Sequence, residues 1–212
     1  MSKWSGKKVA VLYGGRSSER EISLKTGAAC AEALRARGHD VTLLDVDLEI
    51  AARLREARTD VAFVALHGRY GEDGCVQGLL ESMGIPYTGS GVTASALGMD
   101  KVVSKALFQA LGLAVIPYRH FAPERAGTIG LSDLPFGIPC VVKPAGEGSS
   151  VGVRIVKDGS HLREACLEAA KYKGDVIVER YLEGTEVNVA VLGGTALGAI
   201  EIRPANEFYD YA

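Results

Sequence analysis

Apolar and polar positions alternate along the first part of the chain in a way that predicts strands and helices in turn. Residues 9–15, VAVLYGG, form an apolar run that ends in two glycines, which is typical of a buried strand. Residues 23–38 carry apolar side chains at helical spacing and predict a helix. We expect Ser23 to be the N-cap of this helix and Gly38 to end it. Its inward face is expected to carry Ala28, Ala31 and Leu34.

Two further apolar runs, at residues 40–46 and 60–66, predict a second and a third strand. Strand, helix and strand in this order indicate parallel strands joined by right-handed crossovers. We therefore predict an α/β fold that begins with a doubly wound parallel sheet. Ligands of such sheets bind outside the carboxyl ends of the strands, and those ends carry residues 14–21 and 67–74.

The pattern changes near residue 98, which predicts a second architecture of the α+β type. A Gly- and Pro-rich stretch interrupts it at residues 123–139. The predicted elements are helices at 99–112 and 160–174, strands at 138–144, 151–156 and 175–182, and a hairpin around Gly193 and Gly194. We predict boundaries near residues 98 and 184, and thus three parts at residues 1–98, 99–183 and 184–212.

Composition excludes several classes of protein. The chain has 212 residues and a formal net charge of −2, so no basic field favours nucleic acid. No apolar run approaches the ~20 residues that a membrane helix needs, and the apolar run near the N-terminus is too short for a signal peptide. The four cysteines form no C-x-x-C pair, which favours reduced thiols in a cytosolic protein.

A Gly- and Ser-rich loop, residues 146–152, follows Lys143 and separates two predicted strands. Such a loop can place backbone N–H groups around an anion, and a lysine at its start adds a charge suited to phosphate. It is not a Walker A loop, because the lysine precedes the glycines and a strand follows. A long hairpin loop with a solvated Lys143 explains the composition equally well.

Acidic residues and one histidine lie at other candidate sites. Glu19 and Glu21 come close to a predicted helix N-terminus, where a carboxylate favours the helix electrostatically; Glu19 could instead bind a substrate ammonium group. His67 ends the third strand and is either a hydrogen-bonded structural residue or a ligand-site residue. Glu179 and Glu186 flank a break at Gly184, where a nucleotide base could bind, or are solvated strand-end carboxylates.

Four segments together resemble the D-alanine–D-alanine ligases of the ATP-grasp superfamily. They are VAVLYGGRSSEREISLKTG, ALHGRYGEDGCVQGLLESMGIPYTGSGVTASALGMDKVVSK, VVKPAGEGSSVGV and EIRPANEFYDYA. The resemblance covers essentially the whole chain. It implies three α/β domains, with ATP held between the central and C-terminal ones, and ligation of two D-alanine molecules through an acyl phosphate. It also implies Mg²⁺, a homodimer, a bacterial cytoplasmic location and a role in peptidoglycan precursor synthesis.

The resemblance assigns roles to individual residues. At the phosphates of ATP, the implied residues are Lys101, Lys143 and the backbone N–H of Ser150. The implied adenine-binding residues are Glu179, Arg180 and Leu182, and the implied ribose-binding residue is Glu186. Glu19 is implied to bind the ammonium group of the first D-alanine, and His67 to line the same site. Ser149 is implied to link Glu19 to a tyrosine through hydrogen bonds. Glu19 and Ser149 are also the implied catalytic residues. Arg180 stands where relatives often carry lysine.

The chain ends where the lid loop of the family begins, so we expect a fragment of a longer ligase. The magnesium ligands, a Lys-Tyr pair and an arginine of the family are expected beyond residue 212, and the chain alone is expected to be inactive. Three alternatives are a non-catalytic ATP-binding module, an ATP-grasp ligase that makes D-alanyl-D-lactate or D-alanyl-D-serine or activates another carboxylate, and an NAD-dependent dehydrogenase. The last would require G-x-G-x-x-G after the first strand, where the sequence has GGRSSE.

Overall fold

A computed structural model describes residues 6–172 and 174–203 of the chain. The chain divides into two compact units, residues 1–104 and 105–212. The three-part division predicted from the sequence stays a prediction. Residues 204–212, which include the predicted start of the lid loop at residues 208–212, lie outside the described residues.

A three-stranded parallel sheet forms the centre of the first unit, in the order β2-β1-β3. Its strands are β1 (Lys8–Tyr13), β2 (Asp40–Asp45) and β3 (Val61–Val64). The helices are α1 (Arg20–Ala36), α2 (Ile50–Glu56), α3 (Cys75–Ser82) and α4 (Val92–Met99), followed by α5 (Lys101–Ala110), which crosses into the second unit.

Helices cover both faces of this sheet. Leu12 points to one face and is buried with Leu54 of α2 and Leu80 of α3, whereas Val11 points to the other and is buried with Ala31 of α1. Successive residues of a strand face opposite sides, so the apolar run of β1 supplies both cores. The predicted doubly wound parallel sheet is confirmed.

Helix α1 differs from its prediction at its start and on its inward face. Ser23 is not the N-cap: the helix begins at Arg20, and the Ser23 hydroxyl is buried and donates to the Ala65 carbonyl oxygen at 2.7 Å. Ala28, which was predicted to face the sheet, is exposed, and Gly27 is buried there instead. A Cβ on Gly27 would lie 2.3 Å from the Cβ of Tyr13, so only glycine allows this close approach.

An antiparallel four-stranded sheet forms the second unit, in the order β4-β7-β5-β6. Its strands are β4 (Tyr118–Phe121), β5 (Cys140–Pro144), β6 (Arg154–Val156) and β7 (Val176–Arg180). Helix α6 (Leu162–Ala169) packs on it and buries Leu162 and Cys166 against Cys140 and Val178. The predicted irregular stretch at 123–139 contains two 3-10 helices, at Pro123–Thr128 and Leu131–Asp133.

The predicted hairpin is present as β8 (Glu186–Leu192) and β9 (Thr195–Ile202). Gly193 and Gly194 both have positive φ, 55° and 81°, as a tight two-residue hairpin turn requires. Within the described part of the chain, no helix is both long and apolar enough to cross a membrane.

Candidate functional site

The second unit contains a buried carboxylate bound by two lysines. Glu179 of β7 is 3% exposed; its Oε2 lies 2.6 Å from Lys143 Nζ and its Oε1 lies 2.7 Å from Lys105 Nζ. Glu179 pairs directly with Val141 of β5, two residues before Lys143, so the two side chains lie diagonally on one face of the sheet. We call these three residues the lysine–glutamate cluster.

Electrostatics keep Glu179 ionised despite its burial. Burial by itself would raise the pKa of the carboxyl group, but the charges and hydrogen bonds of Lys143 and Lys105 outweigh this and hold the pKa below its ordinary value. Two ammonium groups and one carboxylate leave the cluster with one net positive charge. An ammonium group has three donors, so each lysine keeps donors beyond the one directed at Glu179.

Lys105 is the member of this cluster that was not predicted from the sequence. It lies one helical turn after Lys101 on α5, and its Nζ is also 5.0 Å from the centroid of the Tyr118 ring. The repeat of two lysines at a spacing of one helical turn was the available signal, but it does not indicate which carboxylate the second lysine meets.

The Gly- and Ser-rich loop begins just after Lys143 and has an unusual backbone. Ser149 and Ser150 both have positive φ, 47° and 61°, which is uncommon for residues with a Cβ. Two turns close on them: Val151 N donates to Gly148 O at 3.0 Å, and Val153 N donates to Ser150 O at 3.2 Å. Two consecutive residues with positive φ, closed by the bond from Val151 N to Gly148 O, have the geometry of a type I′ hairpin turn, so the backbone is compatible with both the phosphate interpretation and the plain hairpin loop.

The first unit brings Glu19 and His67 together at the carboxyl ends of β1 and β3. Glu19 immediately precedes α1 and is 5% exposed. Its carboxylate lies against Gly68, where an added Cβ would be 2.6 Å from Glu19 Oε2. The Ser17 hydroxyl donates to the His67 carbonyl oxygen at 2.8 Å and accepts from Glu19 N at 3.2 Å, so it joins the two loops.

His67 has a structural partner as well as a position at the ligand edge. Its Nε2 is 3.1 Å from the Thr26 hydroxyl of α1. This hydrogen bond sets the plane of the imidazole ring beside the Glu19 loop. Both interpretations of His67 made from the sequence are therefore compatible with its position.

An ion pair that was not predicted supports the glycine loop after β1. The guanidinium of Arg20 donates to both carboxylate oxygens of Asp45, at 2.8 and 2.5 Å, and to Gly15 O at 2.7 Å, while Gly15 N donates to Asp45 at 3.1 Å. The hydrogen bond from Arg20 is the main reason why the pKa of Asp45 is lowered. Asp45 is the last residue of β2, and its carboxylate fixes the loop that precedes Glu19.

The remaining predicted site residues lie on α5, on β7 and β8, and in the segment between those two strands. Lys101 is the first residue of α5 and Glu186 the first of β8. The backbone N–H of Arg180 donates to Pro117 O at 2.9 Å, and Leu182 is exposed. Glu19 and Ser149 belong to different units.

Comparison with known proteins first defines the class. A solved D-alanine–D-alanine ligase of Bacillus anthracis matches with a TM-score of 0.85 and 35% identity, over 97% of this chain and 67% of that chain. A second structure of that ligase, complexed with ATP, matches with a TM-score of 0.83 and 32% identity, over 96% of this chain and 68% of that one. The chain thus has the α/β fold of this class of ligases.

Sequence comparison identifies the family. The family model described as the D-ala D-ala ligase C-terminus matches residues 107–212, and that of the N-terminus matches residues 47–90. A D-alanine–D-alanine ligase of Anaeromyxobacter sp. strain Fw109-5 is 81% identical over 212 residues, which are 100% of this chain and 69% of that protein. One from Geotalea uraniireducens is 57% identical over 97% of this chain and 66% of its own length. The chain belongs to the D-alanine–D-alanine ligase family.

Proposed function

We propose that the protein functions in the ATP-dependent joining of two D-alanine molecules to D-alanyl-D-alanine through an acyl phosphate. The observation that carries this proposal is the lysine–glutamate cluster beside the Gly- and Ser-rich loop, because it combines a net positive charge with the backbone N–H donors of that loop. The match to a ligase complexed with ATP supports the same conclusion.

The second unit supplies the proposed nucleotide site. Lys143 is anchored by Glu179, so its ammonium group is held in place and directs its remaining donors to phosphate oxygens. The loop closes over the triphosphate, with Ser150 donating its backbone N–H and Lys101 adding a second charge. The proposed adenine contacts are Glu179, Arg180 and Leu182, and the proposed ribose contact is Glu186.

The first unit supplies the proposed site for the first D-alanine. Glu19 is a buried carboxylate at the ligand edge of a parallel sheet, and we assign it to the ammonium group of the first D-alanine. His67 lines the same edge. We assign Ser149, on the Gly- and Ser-rich loop, to the catalytic role that the resemblance to the family implies for it. Exclusion of water by the closed loop protects the acyl phosphate from hydrolysis.

Magnesium is the metal expected for this chemistry, since it neutralises charge on the transferring phosphoryl group. Among residues 6–172 and 174–203, no group of three or more His, Cys, Asp or Glu side chains could hold a metal ion. Asp45, at the end of β2, forms an ion pair with Arg20, and Asp47, two residues later, forms one with Arg53. The described residues therefore do not fit a magnesium site, and we place none on them.

The wider role follows from the chemistry of the product. D-Alanyl-D-alanine is the terminal unit of peptidoglycan precursors, so we propose a place in cell-wall synthesis and cell shape, in the bacterial cytoplasm and as a homodimer. A D-lactate or D-serine second substrate is compatible with the described residues, because the site described here accommodates only the first D-alanine.

Steady-state kinetics of the full-length gene product test this proposal. We expect ADP release that requires D-alanine. Lys143→Ala removes one charge-assisted phosphate contact and should reduce kcat/KM for ATP by ~30–150-fold, equivalent to about 2–3 kcal/mol. Glu19→Gln should raise the KM for the first D-alanine more than that for ATP. Lys171→Ala and Glu21→Gln, which alter exposed residues outside the proposed sites, are the matched controls.

Three results would contradict the assignments. Unchanged kcat and KM in Lys143→Ala would reject the phosphate role of Lys143. A larger effect of Glu19→Gln on ATP than on D-alanine would reject the ammonium role of Glu19. Binding of ATP by the full-length protein with no turnover dependent on D-alanine would favour the non-catalytic nucleotide-binding module.

A further inference from the structure

A second pocket in the first unit lies apart from the residues assigned to D-alanine. It has a volume of about 150 Å³ and opens at the carboxyl ends of β1, β2 and β3. Its lining includes neither Glu19 nor His67. The strand order β2-β1-β3 places the loops after β1 and β3 side by side, which is where ligands of doubly wound sheets bind.

The pocket has an apolar floor and a cationic rim. The floor consists of Val46, Ile50, Leu66, Val76 and Leu79. At the rim, the guanidinium carbons of Arg16 and Arg69 lie 4.9 and 4.8 Å from the centroid of one aromatic ring, that of Tyr70. One ring therefore holds two like charges beside the same opening.

The positive charge at this rim is compensated only in part. Within the described part of the chain, Arg16 has no ion pair, whereas Arg69 forms an ion pair with Asp73, with Nε 3.8 Å from Oδ2, in which the buried Nε makes no hydrogen bond. Asp47 is the one carboxylate on the described lining, and it is paired with Arg53. Two guanidinium groups thus retain donors for an anion.

Tyr70 provides an independent indication. Its φ is +68°, a left-handed conformation that is a genuine outlier for a bulky aromatic residue. The turn is closed by hydrogen bonds from Gly71 N to Gly68 O at 3.1 Å and from Val76 N to Tyr70 O at 3.0 Å. The backbone is held in a costly conformation that keeps the ring at the mouth of the pocket, as is found at ligand sites.

We propose that this pocket, which we call the Arg16–Arg69 pocket, binds a short-chain aliphatic carboxylate. The carboxylate is bound by Arg16 and Arg69, and the alkyl chain lies on the apolar floor. At about 30 Å³ per water-sized group, the volume accommodates about five heavy atoms. A chain of about three or four carbons fills it, whereas a longer chain extends into solvent.

NMR titration of the ¹⁵N-labelled chain with sodium acetate, butyrate and hexanoate tests the proposal at constant ionic strength. We expect butyrate to shift the backbone amides of Arg16, Tyr70 and Gly71. Because each buried methylene contributes about fourfold, acetate, which is two methylenes shorter, should bind about 16-fold more weakly, and hexanoate should gain no further affinity. Butyramide, which has the same chain without the charge, should bind at least about tenfold more weakly than butyrate.

Variants separate this pocket from general anion binding. Arg16→Gln combined with Arg69→Gln should weaken butyrate binding at least about tenfold, whereas Arg37→Gln, which removes an exposed charge at the end of α1, should not. Tyr70→Phe keeps the ring and should retain binding. Equal binding of acetate, butyrate and hexanoate, equal binding by the double variant, or shifts confined to the Lys143 loop would each overturn the proposal.

Discussion

At the scale of single residues, Glu179 shows how burial and charge act against each other. Its carboxylate is almost fully buried, which is costly for an isolated charge. Two lysines compensate that cost, and each of them is partly exposed, at 13% for the Lys105 side chain and 21% for that of Lys143. The carboxylate thus fixes the position of Lys143 while the ammonium group remains accessible to a ligand.

Glu179→Gln should destabilise the chain, because it leaves two neighbouring ammonium groups without their common anion. We expect a loss of about 1–3 kcal/mol in the free energy of unfolding near neutral pH, measured by urea denaturation. Glu183→Gln changes an exposed carboxylate and should stay within about 0.5 kcal/mol of the wild type.

The pH dependence of that difference follows from the lowered pKa of Glu179. A carboxyl group with a lowered folded-state pKa stabilises the fold fully above its unfolded pKa of about 4.3. That contribution is lost as the pH falls through the folded-state value. The difference between wild type and Glu179→Gln should therefore be largest near neutral pH and shrink on acidification. A difference that is constant with pH would show that Glu179 is not ionised in the folded chain.

At the scale of elements, the contact between α1 and β1 depends on a missing side chain. Gly27 lies on the inward face of α1 directly over Tyr13, and Ser23 and Ala31 continue that face. Small residues at these positions let the helix approach the sheet closely. The same close packing places the start of α1, and therefore Glu19, at the ligand edge.

Gly27→Ala should destabilise the first unit although alanine is the better helix former. The added Cβ overlaps Tyr13, and overpacking costs about 1–3 kcal/mol, which exceeds the gain of about 1 kcal/mol in helix propensity. Gly98→Ala in α4 is the control, since an added Cβ there meets no atom within 4 Å and should be neutral or stabilising. Thermal unfolding of both variants measures the difference; equal melting temperatures would contradict the packing argument.

At the scale of the whole molecule, the chain has separate cores in its two units. The core of the second unit contains Cys140 and Cys166, whereas the first unit carries Cys75 on its surface and Cys30 half-buried. Burial raises the pKa of Cys166 to about 12, and burial also raises that of Cys140. Both thiols therefore stay protonated, and unreactive, while the second unit is folded.

Thiol labelling at about pH 8 should distinguish the two groups of cysteines. Cys75 should react with iodoacetamide in the native chain, and Cys140 and Cys166 should react only after denaturation, as measured by mass spectrometry of the digested protein. Labelling in high urea, where all four cysteines become accessible, is the control. Native labelling of Cys166 at a rate similar to that of Cys75 would show that the second core is not formed as described.

Some features of this protein could be predicted from the sequence because they depend on local chemistry. The apolar run of β1, the crossover order and the two glycines of the hairpin determine strands and turns from neighbouring residues alone. Lys143 at the start of a Gly- and Ser-rich loop, and Glu19 after the first strand, were located as candidates for the same reason. The N-cap of α1 was predicted wrongly, because the contact of Ser23 with Ala65 is not local.

The sequence by itself therefore determined the first three strands and their crossovers, the hairpin at Gly193 and Gly194, and the loops that carry the candidate site residues. Only the tertiary structure decided that Glu179 joins Lys143 to Lys105, that Asp45 and Arg20 hold the glycine loop, and that Arg16 and Arg69 meet on Tyr70. Periodicity and turn chemistry act between close neighbours along the chain. Which distant side chains come into contact depends on the register of paired strands and on how closely helices pack.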